Sequence, residues 1–502
     1  MAIKKYTATK DNTITNAFGI DLSTRATGSN MGAADILEVF SVYGQETTSS
    51  VELSRVLVEF PVDTISTDRT AGDIPASGSV KFYLRMYNAR HSEQLPSDFT
   101  VNVMAVSQSW QEGIGLDMET YEDKTKDSID GSSWVNRTKD SKWAKVGGDY
   151  HSSSYTAGQS MPNYTYTFQS GGEDLFVDVT EAVEEWISGS QTNHGFGVFL
   201  TSSHEGYSSN SSGIDEDSVL HNTEGVTTSY YTKRFFSRTS EFFFKKPTIE
   251  ARWDSRVTDD RGNFYASSSM APADDNLNNL YLYNYIRGRL VDIPNSSETI
   301  TVSLYASSDS SPSGTALATA TASKTSTGVY KAQLSVDTSE ATLHDVWSGS
   351  IGGEYKTGSI EVKNFNKTSV LLSDDYSQYV TKITNLKSKY VKDETARFRV
   401  FSRARNFSPT IYSVANANPE GVIIPSASYE IVRVVDNRTV INNSTGSATK
   451  HTYLSYDNSG SYFDLDMSLL EPGYLYGVKL FYSLSENWRE QEELFKFRVE
   501  DN

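Results

Sequence analysis

Carboxylates are the side chains of this sequence whose type and spacing could do chemistry. They cluster three times, at Asp117, Glu119, Glu122 and Asp123, at Asp215, Glu216 and Asp217, and at Asp464 and Asp466. A carboxylate pair can hydrolyse a glycosidic bond when the two groups are correctly spaced. The chain holds 64 Asp and Glu residues, so chance clusters in solvated loops are also expected. A polysaccharide depolymerase is therefore the weakest functional hypothesis.

The same carboxylates raise the question of calcium, which takes six to eight oxygen ligands. The candidates are Asp215 and Asp217 in SGIDEDS, and Asp464 and Asp466 in SYFDLDM. No D-x-D-x-D-G loop surrounds them, and capping or turn hydrogen bonds account for the same residues. We predict no bound metal, with calcium at these aspartates as the alternative.

Other reactive groups are scarce. The chain has no cysteine, and its seven histidines show neither H-x-H nor H-x-x-x-H spacing. No G-x-S-x-G motif, P-loop or G-x-G-x-x-G motif precedes a helical pattern. We predict that the protein is not an enzyme and uses no cofactor.

Aromatic residues in polar surroundings offer binding chemistry instead. Trp134 and Trp143 lie in a long polar connection over residues 111–175. Exposed rings there could stack on a host-surface glycan or anchor a partner subunit, because Trp is frequent in interface hot spots. The alternative is a small local core under the connection. Further on, the three phenylalanines 242–244 cannot all be buried on one face of a strand, which predicts one ring facing a neighbouring domain or subunit.

The net charge and the short apolar runs restrict where the protein works and what it binds. The formal net charge of -19 argues against nucleic-acid binding, which needs a basic field. MAIKKYTATKDNT has no apolar run after its lysines, and no stretch approaches the roughly 20 apolar residues of a membrane span. We expect a protein made in a cytosol, with no membrane insertion, that reaches any exterior position by assembly or lysis.

Alternation of apolar and polar residues predicts strands at 51–60, 79–88, 99–110, 194–200 and 247–253. The alternation slips near Ser54, which predicts a bulge. One short helix is expected over 178–189, with Thr180 as N-cap, Trp186 on its apolar face and Gly189 closing it. Strands resume with YLYNYIRGRL at 281–290 and continue to the end of the chain.

Two places resemble the tyrosine corner of immunoglobulin-like sandwiches, in which a Tyr near a strand start bonds back over a loop. They are Gly328 with Tyr330, and Pro472 and Gly473 with Tyr476. The predicted fold is all-β. It begins with a jelly-roll-like β-sandwich with one short helix over residues 1–253. Two immunoglobulin-like or fibronectin-III-like β-sandwiches follow over 254–375 and 376–502.

Residues 11–253 resemble the DNRLRE-type domain, a β-sandwich of extracellular and particle-surface proteins. The matching features are SRVLVEFPVDTI with Arg55, SQSWQEG with Trp110, and DVTEAVEEWISG with Thr180 and Trp186. The whole chain also resembles virion structural proteins of marine tailed phages, including cyanophages. TITNAFGIDLSTRATGSNMG and YDNSGSYFDLDMSLLEPGYLYGVKLFY carry this second resemblance. It implies a particle component and no catalytic residues.

Our first hypothesis is a non-enzymatic structural component of a phage virion exterior, either a neck or tail appendage or a capsid decoration. Its partners would be capsid, neck or tail subunits and further copies of itself. The second hypothesis is a glycan-binding adhesin that contacts the host surface through Trp134 or Trp143.

Overall fold

The structure is a computed structural model that divides into two compact units, Ala2–Asp254 and Ser255–Asn502, here called the N-terminal and C-terminal units. It describes residues 2–19, 23–43, 51–91, 95–116, 131–152, 154–209, 220–293, 299–306, 314–349, 354–363, 379–405, 421–446, 449–484 and 487–501.

The N-terminal unit is a sandwich of two antiparallel sheets. The smaller sheet has the order β1 (Ile3–Thr7), β13 (Thr248–Trp253), β5 (Val80–Met86), β10 (Leu175–Asp178). The larger has the order β12 (Tyr230–Phe236), β3 (Ile36–Tyr43), β4 (Val51–Glu59), β11 (Phe196–Leu200), β6 (Phe99–Ala105), β9 (Asn163–Phe168), and β2 (Lys10–Thr15) also pairs with β4. A small hairpin joins β7 (Asn136–Thr138) to β8 (Ser141–Lys142).

The two sheets enclose one core, and this explains the alternation along the strands. The side chains that meet in the core include Phe82, Leu84 and Ile249 from the smaller sheet and Val56, Val101 and Phe196 from the larger. The five strands predicted in this half correspond to β4, β5, β6, β11 and β13. The bulge expected near Ser54 is wrong. β4 pairs with β2 and β3 without a register shift. The alternation slips for another reason: both faces of β4 are buried, so residues on each face are apolar.

Among the described residues of this unit there are two α-helices, where one was expected. The first, α1 (Val62–Ala71), buries only Val62 and Ile65, so it leaves no apolar period in the sequence. The second, α2 (Thr180–Ser188), is the predicted helix, and Gly189 ends it in a left-handed conformation. Thr180 is not the N-cap. Its hydroxyl accepts from the Phe82 N–H (2.9 Å), while the Asp178 carboxylate accepts from the Thr180 N–H (3.0 Å).

The first part of the C-terminal unit is a single seven-stranded sheet that folds around its own core. Its order is β14 (Phe264–Tyr265), β22 (Glu354–Lys363), β21 (Thr342–Ser348), β18 (Ile300–Tyr305), β19 (Ala318–Ser326), β20 (Val329–Leu334), β15 (Asn278–Tyr283). Trp347 lies in the centre of the core. A separate hairpin pairs β16 (Tyr285–Ile286) with β17 (Arg289–Leu290).

The second part is a sandwich of two sheets. One has the order β23 (Tyr379–Ile383), β25 (Thr395–Ala404), β29 (Gly460–Asp466), β28 (Ser455–Asp457). The other has the order β24 (Lys389–Val391), β32 (Phe495–Glu500), β30 (Leu475–Leu484), β26 (Ala427–Arg433), β27 (Arg438–Ile441), with β31 (Asn487–Glu490) on β30. Aromatic rings join the sheets, since Phe398 and Phe463 of the first meet Phe497 and Tyr429 of the second. The all-β prediction is confirmed, and this part is an immunoglobulin-like sandwich.

The predicted corner at Tyr476 is present. The Tyr476 hydroxyl donates to the Glu471 carbonyl (2.7 Å), and its ring is fully buried. Gly473 between them has a φ of 89°, which favours glycine. Tyr330 differs, because its hydroxyl accepts from the Ile293 N–H (2.9 Å), far back along the chain. Of the two predicted corners, the one at Tyr476 bonds back over its own short turn and the one at Tyr330 does not.

We expect Tyr476→Phe to lower the free energy of unfolding of the C-terminal unit by about 1 kcal/mol, because the hydrogen bond from the buried Tyr476 side chain to the Glu471 carbonyl is lost. Urea denaturation of the full chain measures this. Tyr285→Phe is the control, since Tyr285 is 60% exposed. Equal stability of the two variants would contradict the assignment.

Candidate interaction surfaces

Trp134 and Trp143 are buried, with exposed fractions of 0% and 5%. They belong to a second core that covers the outer face of the larger sheet. Its other members include Ile14, Leu53, Leu57, Val106 and Trp110. The Trp143 indole donates to the Ser133 carbonyl (2.9 Å), and the Trp110 indole donates to that of His194 (2.9 Å). Neither Trp134 nor Trp143 can serve as an exposed platform, and the alternative of a local core describes both.

A buried ion pair sits beside this second core. Arg55 on β4 contacts both carboxylate oxygens of Glu205 (3.0 and 3.2 Å) and also donates to the Gly147 carbonyl (3.2 Å). Its guanidinium lies 4.4 Å from the centre of the Phe199 ring. Burial raises the pKa of the Glu205 carboxyl, and the charge of Arg55 opposes that shift. Arg55 therefore holds residues 147 and 205 against the sheet.

We expect Arg55→Met to destabilise the N-terminal unit by about 3–5 kcal/mol, because Glu205 would keep a buried charge without a partner. Lys81→Met is the control. It breaks an exposed pair with Asp178 (3.6 Å) and should cost at most about 1 kcal/mol. Urea titration of each full-length variant, followed by tryptophan fluorescence, measures both. A similar loss in the two variants would show that the Arg55–Glu205 pair has no special weight.

Exposed aromatic rings lie instead in the segment of three phenylalanines. Residues Phe243–Lys245 form a short 3-10 turn, which buries Phe244 and leaves Phe242 and Phe243 46% and 41% exposed. Phe242 packs edge-on against Phe236 (5.3 Å between ring centres). The Lys245 ammonium lies 4.4 and 4.5 Å from these two rings. We call Phe236, Phe242 and Phe243 the aromatic patch. Two rings of the segment are exposed, where the sequence predicted one ring facing outward.

A second exposed element was missed by the sequence. The strand predicted at 281–290 is broken at Asn284, where the chain leaves the sheet and forms the β16–β17 hairpin. All residues from 285 to 291 are exposed. The sequence feature that indicates the hairpin is Arg287-Gly288. Both residues have positive φ (52° and 77°), as the tight turn of a two-residue hairpin requires.

The calcium candidates fall into two groups. Asp464 forms an ion pair with Arg397 (2.8 Å), and Asp466 accepts from the Ser468 N–H (2.9 Å) at the start of a 3-10 turn. Asp215 and Asp217 lie outside the described residues, as do Asp117, Glu119, Glu122 and Asp123. Within the described ranges, no three His, Cys, Asp or Glu side chains are grouped to hold a metal ion.

Trp186, predicted on the apolar face of the helix, is buried. Trp186 packs against Phe196, with ring centres 4.8 Å apart, and thereby fixes α2 on the larger sheet. In the part of the chain that the structure describes, no helix is both long and apolar enough to cross a membrane.

Comparison with known proteins yields fold-level likenesses only. No family model matches the chain, and no curated protein matches it. Similar solved structures include the adhesin InvE of Yersinia pseudotuberculosis, at 12% identity over 47% of this chain and 56% of that one, with a TM-score of 0.14. A titin fragment, A168169, shows 8% identity over 48% and 94%, with a TM-score of 0.14. A marsupial T cell receptor shows 7% identity over 48% and 71%, with a TM-score of 0.15.

Proposed function

We propose that the chain is a structural component of the exterior of a tailed phage particle and that it assembles through protein–protein interfaces. The resemblance of its sequence to virion proteins supports the particle assignment. The aromatic patch supports assembly, because two exposed phenylalanines held beside a buried one form a preorganised apolar contact.

The aromatic patch supports assembly through a protein–protein interface for three physical reasons. The turn at Phe243–Lys245 is fixed by the burial of Phe244, so docking costs little conformational entropy. Large aromatic side chains dominate the binding energy of interfaces. The formal net charge of -19 keeps most of the surface from associating non-specifically, which makes a local apolar contact selective.

A glycan-binding role through Trp134 or Trp143 loses its basis, because both rings are buried. A sugar is the weaker candidate for the aromatic patch, because its three phenylalanines offer no hydrogen-bonding group and the Lys245 ammonium lies over two of these rings. An apolar protein surface suits the patch better.

The number of copies per particle tests the particle assignment. Quantitative mass spectrometry of purified virions, measured against the major capsid protein, should detect the chain in a fixed ratio. A simple fraction of the capsid subunits would place it on the shell as a decoration. A few to a few dozen copies would place it on the neck or tail. Absence from purified particles would overturn the proposal.

We expect Phe242→Ser combined with Phe243→Ser to lower the copies per particle at least about tenfold, because each interface hot spot contributes more than about 1 kcal/mol. Particles grown with the variant are compared with wild type by the same mass spectrometry. Tyr230→Ser is the matched control, since Tyr230 is 60% exposed in the same unit. Circular dichroism confirms that both variants fold. An unchanged copy number in the double variant would exclude the patch as the contact.

A further inference from the structure

The β16–β17 hairpin, residues 285–291, combines exposed apolar and cationic side chains. Tyr285, Ile286, Leu290 and Val291 are 60%, 47%, 36% and 38% exposed. Arg287 lies at the turn, and Arg289 pairs across the strands with Ile286. Within the described residues, neither arginine forms an ion pair. Four large apolar side chains and two arginines in seven residues make an unusual surface for a soluble acidic protein.

The hairpin is firmly rooted in the sheet. At its base, the Asn284 side-chain amide donates to the Val291 carbonyl (2.7 Å), and the Val291 N–H donates to the Asn284 carbonyl (3.0 Å). The Asn284 N–H donates to Gly328 (2.8 Å). A Cβ at Gly328 would lie 2.7 Å from the Val291 nitrogen, so glycine is required there. The hairpin is therefore a preorganised projection, and binding through it loses little entropy.

Its two faces differ. Tyr285 and Leu290 are directly paired and share one face, while Ile286 and Arg289 share the other. An occupant must offer apolar contact to the first face and negative charge near the turn. Acidic surface is abundant on this chain, whose net charge of -19 would be -21 without Arg287 and Arg289.

One exposed segment of the same chain has the complementary chemistry. Residues 490–494, here called the acidic connection, join β31 to β32 and read Glu-Gln-Glu-Glu-Leu. Glu490, Glu492 and Glu493 are exposed, and Leu494 is 38% exposed. The connection is fixed, because the Gln491 N–H donates to the Leu480 carbonyl (2.8 Å) and Leu494 packs on Gly477. The existing partner of Glu492, Arg405, is 3.8 Å away and half exposed.

We propose that the hairpin docks on the acidic connection of a second copy of this chain, with Arg287 and Arg289 facing Glu492 and Glu493 and with Tyr285 and Leu290 facing Leu494. This self-association goes beyond the particle assignment, because it requires no other virion protein. A contact between two different surfaces closes into a ring or extends as a filament. The exception is a dimer in which a two-fold axis relates the two copies, so that the same contact forms twice.

Charge reversal in trans tests the contact. The first variant carries Arg287→Glu and Arg289→Glu, and the second carries Glu492→Arg and Glu493→Arg. Each alone places like charges together and should not associate in analytical ultracentrifugation at about 50 mM salt. An equimolar mixture should associate again, because each mutated surface then meets an opposite charge. Wild type should associate at about 50 mM and dissociate at about 500 mM salt.

The controls separate this contact from general effects of charge and exposure. Lys382→Glu with Lys387→Glu changes the net charge by the same amount as the first variant and should leave association unchanged. Tyr285→Ser with Leu290→Ser should raise the dissociation constant at least about tenfold. Tyr230→Ser should have no effect.

Three outcomes would overturn the inference. Wild type could remain monomeric at about 50 mM salt, association could survive both charge reversals, or the mixture could fail to associate although each variant is folded. The last measurement mixes the chain with vesicles of phosphatidylcholine and phosphatidylserine. A monomeric chain that sediments with them only when its hairpin is intact would identify a lipid surface as the occupant instead of a second copy. Loss of particle binding in the Phe242 and Phe243 variant would leave this inference untouched.

Discussion

The outer cover of the larger sheet in the N-terminal unit depends on the buried Arg55–Glu205 ion pair. Each charge is out of water and depends on the other, so β4 and residue 205 must come together for either to be tolerated. Phe199 lies against the guanidinium, and the second core continues beside it through Trp134. Described residues of the polar connection, such as Trp134 and Trp143, are thereby held on the outer face of the larger sheet.

Burial on both faces of one sheet changes where contact surfaces can be. Many aromatic rings of the described residues are buried in cores, such as Trp134 in the second core and Trp347 in the C-terminal unit. Large exposed apolar groups are then conspicuous where they cluster, at the aromatic patch and at the β16–β17 hairpin. The first combines the end of β12 with the short turn at Phe243–Lys245, and the second is a two-stranded hairpin. The sandwiches supply rigid bodies, and these short local elements supply the surfaces proposed for assembly.

Much of the fold could be predicted from the sequence, because burial on one face leaves a period of two. The strands β5 and β6 followed from this period, the helix α2 followed from a period of 3.6 residues, and the Tyr476 corner followed from its turn residues. The helix α1 did not, since only two of its side chains are buried. Trp134 was ambiguous because its neighbours in sequence are polar, while the residues that bury it are distant. At the break in the strand, the Arg287-Gly288 turn was visible in the sequence, but the hydrogen bond from Asn284 to the distant Gly328 was not.

The pairing of β1 with β13 has a consequence for the order in which the chain folds. Ile3–Thr7 pairs with strand residues some 245 positions later, and among the described strands it has no other partner. The smaller sheet therefore cannot close until Trp253 has left the ribosome, however early the larger sheet begins to form. Contacts so distant in sequence slow folding, because the loop must close before they contribute. The larger sheet is also incomplete until β11 and β12 have been made, so apolar strand residues of both sheets stay uncovered during most of the synthesis of the unit, a stage at which aggregation competes with folding.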